Sequence, residues 1–237
     1  MRAKQWLGAL VAMSVLGASP ALYAESPIQW HIELKGGAYK PSIDGEFANA
    51  HPFATIYGES PVAMAMVEIG FQLYRGPIGV FALSGSFGYS TDEGTSLDPA
   101  TDTKPGDATT FNVAPTQASI VYEMTALQRY YEVPFTLFAK GGVDYWLWWV
   151  RDANDDIAEY EGSEAMGGTM GWHAGGGLRF LLDWLDPGSA QSFDQDIGVN
   201  NSYLFAEYTH ARVDDFGSAS SFRLGNDIFL FGLSFEM

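Results

Sequence analysis

The sequence ends on Phe229-Leu230-Phe231-Gly232-Leu233-Ser234-Phe235-Glu236-Met237, a stretch with a large apolar side chain at every second position. Successive side chains of a β-strand point to opposite faces, so this alternation predicts a strand with one apolar face and one face of smaller or polar residues. Seven upstream segments repeat the period of two. They lie within 30–35, 67–73, 81–90, 117–124, 137–149, 172–184 and 204–209.

The segments between these eight predicted strands alternate in character. Those after the first, third, fifth and seventh strands are long or polar and acidic: 41–61, 91–108, 151–169 and 214–220. Those after the second, fourth and sixth are 74–77, 125–132 and 185–200, and we expect a helical turn in the last. Long loops at one end and short turns at the other are typical of transmembrane barrels. We therefore predict an all-β fold, a single eight-stranded antiparallel up-and-down transmembrane β-barrel.

The direction of the apolar face separates a membrane barrel from a water-soluble one. A lipocalin-type barrel would point the apolar face inward and cover its outside with charge. Here the polar faces are mostly Gly, Ser, Ala, Thr and Gln with one or two charges per strand, whereas a soluble exterior is richer in Lys and Glu. An eight-stranded lumen has room for little more than side chains. We therefore expect the apolar face to look outward.

Aromatic residues stand near the ends of the predicted strands. Trp30 and Trp184 fall at the end that carries the short turns, and Tyr89, Trp149 and Trp172 fall at the end that carries the long loops. Two such girdles are typical of the interfaces of a bilayer, where one side of the ring is wet and the other apolar. We predict these five residues to be membrane-interface aromatics.

Composition excludes several classes of protein. The chain has 237 residues, no cysteine and a formal charge of −17, from 12 Lys and Arg against 29 Asp and Glu. The missing cysteines exclude disulfides, thiolate metal sites and a catalytic cysteine. Phosphate contacts need a surface rich in Lys and Arg, so no nucleic-acid partner is expected. The mean hydropathy of −0.03 is an average over an apolar and a polar face.

The N-terminal residues have the layout of a secretory signal peptide. Arg2 and Lys4 are followed by an apolar run over 6–17 and by a small-residue segment that ends at Ala24. A run of about 12 apolar residues is too short to span a bilayer. We predict a signal peptide over 1–24, a barrel over 25–237, and insertion into the outer membrane after Sec-type cleavage.

Several motifs resemble a family of small outer-membrane β-barrels typical of myxobacteria and their relatives. The resemblance covers nearly the whole mature chain and is carried by Gly142–Arg151, Gly171–Leu178, Leu185–Pro187, Asp196–Tyr208 and Tyr39–Asp44. A more general resemblance extends to barrels of the OmpA, OmpX and OmpW types. The family has no assigned activity, so the resemblance implies fold, location and insertion by the barrel-assembly machinery, and supplies no catalytic residues.

Charged residues on the polar faces predict a network inside the lumen. Lys140 and Asp144 are four residues apart on one strand, and Arg179 and Asp183 repeat this spacing on the next. Charges in a crowded interior are favourable only when paired and hydrogen-bonded. We predict a structural lumen network and leave a narrow ion or proton path as the alternative. The predicted members of the lumen network are Glu68, Glu123, Lys140, Asp144, Arg179, Asp183 and Glu207, with Glu33 and Lys35 facing the same lumen.

The loops and histidines offer weaker sites. About 16 of the 29 acidic residues fall in the outer loops, which fits a solvated surface, bridging by divalent cations to lipopolysaccharide, or capture of a cationic partner. His210 stands near Asp214 and Asp215, but no nucleophile elbow or HExxH motif accompanies any histidine. Asp194–Asn200 only faintly resembles a calcium loop, and we interpret it as a turn with Asx hydrogen bonds.

The sequence thus favours a non-enzymatic outer-membrane barrel with a structural or surface-interaction role, a filled lumen and acidic outer loops. A narrow ion or small-solute channel is the alternative, and an outer-membrane hydrolase ranks behind both. We expect no cofactor and no metal site. The expected partners are outer-membrane lipid, lipopolysaccharide and the assembly machinery, and the protein is expected to be a monomer.

Overall fold

The computed structural model of the chain describes residues 29–97, 106–160, 162–219 and 221–237. The predicted signal peptide and the loop acids Asp98, Asp102 and Glu161 lie outside these ranges. The described ranges contain ten strands: β1 (Trp30–Tyr39), β2 (Val62–Arg75), β3 (Val80–Thr95), β4 (Ala108–Met124), β5 (Phe135–Arg151), β6 (Glu159–Tyr160), β7 (Ser163–Glu164), β8 (Met166–Leu181), β9 (Asn201–Val213) and β10 (Asp227–Glu236).

Eight of these strands, all except β6 and β7, form a closed antiparallel barrel in the order β1-β2-β3-β4-β5-β8-β9-β10. The first strand closes against the last, so that Leu34 lies opposite Val67 on one side and Leu233 on the other. Because each barrel strand pairs with the next one along the chain, the predicted up-and-down topology is confirmed. β6 and β7 form a separate hairpin within the connection after β5.

The two faces of the barrel wall differ sharply in chemistry. Phe87 is 58% exposed on the outside and Phe229 is 61% exposed, whereas Glu33, Glu68 and Glu123 on the inner face are 1–2% exposed. This is the reverse of a water-soluble protein, in which charge lies outside and apolar side chains lie inside. The apolar face looks outward, as the alternation predicted, and the lipocalin-type arrangement is wrong for this chain.

The connections gather at two ends. Among the described residues, the loop end carries 40–61, 96–97, 106–107, 152–160, 162–165, 214–219 and 221–226, and the turn end carries 76–79, 125–134 and 182–200. Helix α1 (Pro52–Tyr57) lies at the loop end, and helices α2 (Ala126–Tyr131) and α3 (Pro187–Ile197) lie at the turn end. No helix among the described residues is long and apolar enough to cross a membrane.

The hairpin of β3 and β4 extends beyond the sequence prediction. The connection expected over 91–108 shrinks, because β3 and β4 continue to pair as far as Thr95 opposite Ala108. Asp92, Glu93 and the threonines in this extension give no apolar alternation, because Phe111 is the one large apolar side chain in the paired segments 91–95 and 108–112. Period two in hydrophobicity therefore marks the apolar part of a strand and misses its polar end.

The connection after β8 holds more helix than the single turn expected there. The side chain of Asp186 accepts a hydrogen bond from the amide of Ser189, Pro187 occupies the first turn, and Gly198 ends α3 with a positive φ of 73°. These are standard start and stop signals, so an 11-residue helix forms between them. The Asx turn predicted from Asp194 onward is wrong, because Asp194 and Asp196 lie within the last turns of this helix.

Side chains at the loop end of the lumen form a buried apolar layer. Tyr39 donates its hydroxyl hydrogen to the carbonyl of Leu224, 2.7 Å away, and so fixes the last loop across the mouth. Asp44 accepts the amides of Phe53 and Ala54 at 2.8 and 3.0 Å and fixes α1 beside it. The apolar layer comprises Tyr39, Ile43, Phe53, Met64, Met66, Phe111, Val113, Trp146, Ala211, Val213, Leu224, Ile228 and Leu230.

Candidate functional site

Below the apolar layer, the lumen holds a charged layer made of Glu33, Lys35, Glu68, Glu123, Lys140, Arg179 and Glu207. The ammonium of Lys35 pairs with Glu68, and lies 3.3 Å from Glu207 and 3.5 Å from Glu33. Lys140 lies 3.1 Å from Glu68 and 2.6 Å from Glu207. Two lysines and two glutamates therefore form a closed ring of ion pairs across the bore, with at most 2% of any of these side chains exposed.

Arg179 joins two further glutamates toward the turn end. Its guanidinium contacts Glu33 and Glu123 at 2.5 Å each, and lies 4.8 Å above the ring centre of Phe138. A guanidinium presents several donors in a planar fork, so it can hold two carboxylates and still stack on an aromatic face. Because Glu33 contacts both Arg179 and Lys35, the arginine and lysine parts form one continuous network.

Two glycines lie on the inner face of the strand between Lys140 and Glu207. Lys140 on β5 reaches Glu207 on β9 across β8, where Gly175 and Gly177 face the lumen. A Cβ at Gly177 would lie 2.7 Å from the ring of Phe138, and one at Gly175 would lie 2.8 Å from the hydroxyl of Thr209. The missing side chains on the intervening strand leave space that the ring of Phe138 and the side chain of Thr209 occupy.

The residues predicted to share a face along one strand do not pair with each other. Lys140 and Asp144 share the inner face but bind different partners, and Arg179 binds glutamates of β1 and β4 instead of Asp183. Since β8 ends at Leu181, Asp183 lies in a short 3-10 helix at the turn end, where its carboxylate accepts the amide of Ser202 at 3.2 Å. Burial in this position raises the pKa of Asp183. Asp183 is therefore not a member of the lumen network.

Between the charged and apolar layers lies a hydrogen-bonded relay of Ser119, His173 and Asp144. Nδ1 of His173 lies 2.8 Å from Oδ2 of Asp144, and Nε2 lies 2.9 Å from the hydroxyl of Ser119. An ionised carboxylate only accepts, so Nδ1 carries the hydrogen and, in the neutral ring, Nε2 accepts from Ser119. The three residues come from β4, β5 and β8, and Gly142 lies between Ser119 and His173 in the sheet register.

The order of groups in the relay is that of a hydrolase triad, but its surroundings are those of a packed interior. The side chains of His173 and Asp144 are 0% exposed. The amide of Gln117 donates to Oδ1 of Asp144 at 2.7 Å and the indole of Trp146 donates to the same oxygen at 3.0 Å, so Asp144 holds three donors, counting His173 on Oδ2. A substrate carbonyl has no access to Ser119, which is 2% exposed. The relay therefore acts as a buried structural hydrogen-bond chain.

One group of carboxylates has the spacing of a metal site. Single oxygens of Glu33, Glu68 and Glu207 lie within 4.8 Å of one another. The ammonium of Lys35 contacts all three, so a cation of this protein already occupies the place that a metal ion would take. Three carboxylates around one ammonium form a charge-assisted hydrogen-bond site, which gives a metal ion no open coordination position.

Among the described residues, His210 and His31 lie outside the relay, and of these two only His210 has an ion-pair partner. His210 pairs with Asp227 at 2.7 Å instead of Asp214 or Asp215, and both side chains of the pair are half exposed. His31 lies in the lumen at the turn end, 1% exposed, and within the described part of the chain neither of its ring nitrogens has a hydrogen-bond partner.

The predicted interface aromatics lie at both ends of the outer surface. Trp30 and Trp184 are 50% and 60% exposed near the turn end, and Trp30 contacts the ring of Phe71 at 4.9 Å. Tyr89, Trp149 and Trp172 lie toward the loop end, where Tyr89 and Trp149 have ring centres 6.1 Å apart. Contact of these rings with a bilayer interface stays a prediction.

Sequence reasoning missed the relay and the apolar layer. Nothing in the sequence showed that Ser119 has a specific partner, because a serine on the inner face of a strand looks like any small lumen-facing residue until its neighbours are known. Met64, Met66 and Trp146 stand at inward positions, where the sequence led us to expect small or polar residues. Their size was the available signal, since large apolar side chains at inward positions near one end predict a plug.

No family model and no curated relative matches the chain. Among solved structures it is similar to Neisserial surface protein A, at 11% identity and a TM-score of 0.47 over 90% of this chain and 98% of that chain. It is similar to Ail of Yersinia pestis at 11% identity and a TM-score of 0.43, over 90% of this chain and 100% of that chain. It is also similar to the N-terminal β-barrel domain of Pseudomonas aeruginosa OprF, at 10% identity and a TM-score of 0.42 over 89% of this chain and 99% of that chain. At such identities the likeness concerns the fold alone.

Proposed function

We propose that this chain is an integral outer-membrane β-barrel protein with a structural or surface-interaction role, whose loop end faces the cell exterior. The apolar outer wall supports this location, because burial in lipid removes from water side chains such as Phe87, Phe229 and Phe231, each at least 58% exposed on the isolated barrel. Leucines, phenylalanines and tyrosines continue this surface around the barrel.

The single observation that carries the structural role is the filled lumen. Side chains of the charged layer pair across the bore, and the apolar layer covers them toward the loop end. An ion crossing the barrel would have to break the pairs of Lys35 and Lys140 and then pass the buried apolar layer around Trp146 and Leu224. Leaving a buried charge without its partner costs about 3–5 kcal/mol, so ion passage is opposed at both layers.

Conductance of the refolded protein in planar lipid bilayers tests this role against the channel alternative. We expect an inserted barrel that gives no discrete current steps. Insertion is checked independently, by the shift in gel mobility between the folded and the heat-denatured barrel. Stable insertion with reproducible unitary steps would overturn the filled-lumen role and favour the narrow channel.

The location follows from the same proposal and has its own test. We infer that cleavage after Ala24 leaves Glu25 as the first residue of the mature protein. N-terminal sequencing of the protein from outer-membrane fractions should return Glu25, and depletion of the barrel-assembly machinery should remove the protein from that fraction. Recovery of the uncleaved chain in the inner membrane would contradict the location.

The proposed partners are lipid around the wall and lipopolysaccharide beside the acidic loops, and the proposed state is a monomer. The membership in the myxobacterial barrel family that the motifs suggest belongs to the same proposal. Divalent cations would bridge loop carboxylates to lipopolysaccharide phosphates, since both are oxygen ligands of the kind that calcium and magnesium prefer. A melting temperature that rises with millimolar calcium only when lipopolysaccharide is present would support this contact, and indifference to both would reject it.

A further inference from the structure

A cavity of about 380 Å³ opens at the loop end, between α1, the tip of the β3–β4 hairpin and the last loop. We call it the mouth pocket. It lies outside the charged layer and the relay, and it faces the exterior side of the apolar layer. Small-molecule sites in proteins have volumes of about 300–1,000 Å³ and recur in the mouths of β-barrels. The mouth pocket has this size and this position.

Aromatic side chains form its wall and its rim. Phe53 and Phe111 meet edge to face with ring centres 5.3 Å apart, and Tyr57 lies 4.8 Å from Phe53. Phe47 and Phe222 stand at the rim, 44% and 37% exposed. The lining residues carry no charged side chain. A ligand that enters this pocket therefore meets ring faces and edges.

The pocket is held open by fixed contacts. Asp44 fixes α1 through two amide hydrogen bonds, and the hydroxyls of Tyr57 and Thr109 lie 3.4 Å apart. Gly94 lets α1 approach β3 closely, because a Cβ there would lie 2.7 Å from the ring of Tyr57. A preformed apolar pocket binds a ligand without first paying the entropy of ordering its own walls.

The charge around the pocket selects the sign of a ligand. In the described residues the rim and loops of this end carry four basic side chains, Lys40, Arg151, Arg212 and Arg223. They carry fourteen acidic ones: Asp44, Glu46, Glu59, Asp92, Glu93, Asp107, Asp152, Asp155, Asp156, Glu159, Glu164, Asp214, Asp215 and Asp227. Three of the bases are already paired with acids of the same end. The summed field therefore attracts cations and repels anions.

We propose that the mouth pocket binds a small cationic amphiphile, with an aromatic or short alkyl body inside and an ammonium group at the rim. Aromatic faces attract quaternary ammonium groups by their quadrupole, and the acidic loops raise the local concentration of such ligands. This inference goes beyond the structural role proposed above and requires only the folded barrel mouth.

Binding of benzyltrimethylammonium to the protein in nanodiscs of zwitterionic lipid tests the proposal, with calorimetry as readout and empty nanodiscs as blank. Benzyl alcohol and benzenesulfonate supply the same ring with a neutral and an anionic head. We expect the cation to bind at least tenfold more tightly than the anion, with the alcohol between them. Raising the salt concentration should weaken the binding of the cation and of neither other ligand, because salt screens the attraction of the acidic loops.

The double variant Phe47→Ala/Phe222→Ala removes the rim rings, and we expect it to weaken binding of the cation at least fivefold. Phe216→Ala is the matched control, an aromatic that is 64% exposed at the same end and does not line the pocket. All three side chains are partly exposed, and the folded gel mobility of each variant verifies the barrel. Equal affinities for cation and anion, heats equal to those of empty nanodiscs, or an equal loss in Phe216→Ala would overturn the proposal.

Discussion

Strand β2 presents Met64 and Met66 to the loop-end part of the lumen and Glu68 to its middle, all on the same inner face. The first two belong to the apolar layer and the third belongs to the charged layer. Both layers are almost fully buried, yet they are stabilised differently. The apolar layer depends on area removed from water, which many side-chain combinations can provide. The charged layer depends on particular pairs, because each buried charge needs its partner.

The difference between the two layers means that burial alone does not predict how well a position tolerates substitution. A conservative change in the apolar layer keeps volume and loses little, whereas a change of equal size in the charged layer leaves carboxylates facing each other. Single substitutions in each layer, measured beside a matched control, test whether the two layers differ in this way.

Lys35→Met should have the largest effect, because Glu33, Glu68 and Glu207 would then face one another without this ammonium between them. We expect a loss of about 3–5 kcal/mol in the free energy of unfolding. Urea unfolding in lipid vesicles, followed by tryptophan fluorescence, measures it. Lys40→Met, which removes an exposed pair with Glu59, should cost no more than about 1 kcal/mol.

A second variant separates charge balance from lost packing at the same site. Lys35→Met combined with Glu68→Gln should recover part of the lost stability, since it removes a negative charge along with the positive one. If the two changes simply add, or if Lys35→Met costs as little as Lys40→Met, the charged layer does not depend on pairing.

Leu224→Ala removes a fully buried side chain of the apolar layer and should cost about 2–5 kcal/mol. Leu224→Met keeps the volume and should cost less than about 1.5 kcal/mol in the same unfolding assay. The hydrogen bond from Tyr39 goes to the backbone carbonyl of residue 224, so both variants retain it. Equal losses for the two variants would show that the apolar layer is as specific as the charged one.

Gly142→Ala should disturb the relay that separates the two layers. A Cβ at this position would lie 2.9 Å from the Cα of Ser119, so the backbone of β4 or β5 has to shift. We expect a loss of about 1–3 kcal/mol, as for other overpacked interiors. Gly141→Ala is the control, because its Cβ would approach the carbonyl of His173 no closer than 3.4 Å. Indistinguishable unfolding curves for the two variants would contradict the close packing around Gly142.

The smallest effect is expected outside both layers, at the start of α3. The hydrogen bonds from the side chain and the amide of Ser189 lower the pKa of Asp186 below its ordinary value of 3.8. A lowered pKa in the folded state means that the ionised carboxylate stabilises α3 above pH 3.8, and that this stabilisation is lost as the pH falls through the folded-state pKa.

Asp186→Ala should therefore increase amide exchange across α3 at neutral pH and remove the dependence of that exchange protection on acid. Asp196→Asn is the control at the other end of the helix, where an acid opposes the helix dipole. Its removal should leave α3 unchanged or slightly more protected. Equal loss of protection in both variants would show that the cap of Asp186 does not hold the helix.

Much of this architecture could be predicted from the alternation of residues. The period of two gave the strands, their inner and outer faces and the closed up-and-down order, because each strand signals its faces locally. It also placed Lys140, Arg179 and Glu207 in the lumen. The ends of the strands were less predictable, as β3 and β4 show, because polar residues on both faces leave no alternation.

The partners inside the lumen could not be predicted. Lys35 and Glu207 are 172 positions apart in the chain, yet the ammonium and the carboxylate lie 3.3 Å apart. Strand β10 lies between their two strands, and its residue opposite Lys35 is Gly232. Spacing along one strand predicted only that Lys140 shares a face with Asp144, and Arg179 with Asp183. In the structure both bases pair with glutamates of other strands. Curvature of the closed wall brings distant strands within reach of one side chain, so partners across the bore compete with neighbours on the same strand.

An eight-stranded barrel with an apolar outside and a polar inside can be predicted from the order of residues, because the face to which a side chain points alternates along a strand. The pairing of the charges, the relay of Ser119, His173 and Asp144, and the cover of loop side chains over the loop end of the lumen become visible only in the folded barrel. Those features depend on barrel closure, which sets distances between residues that the chain itself keeps far apart.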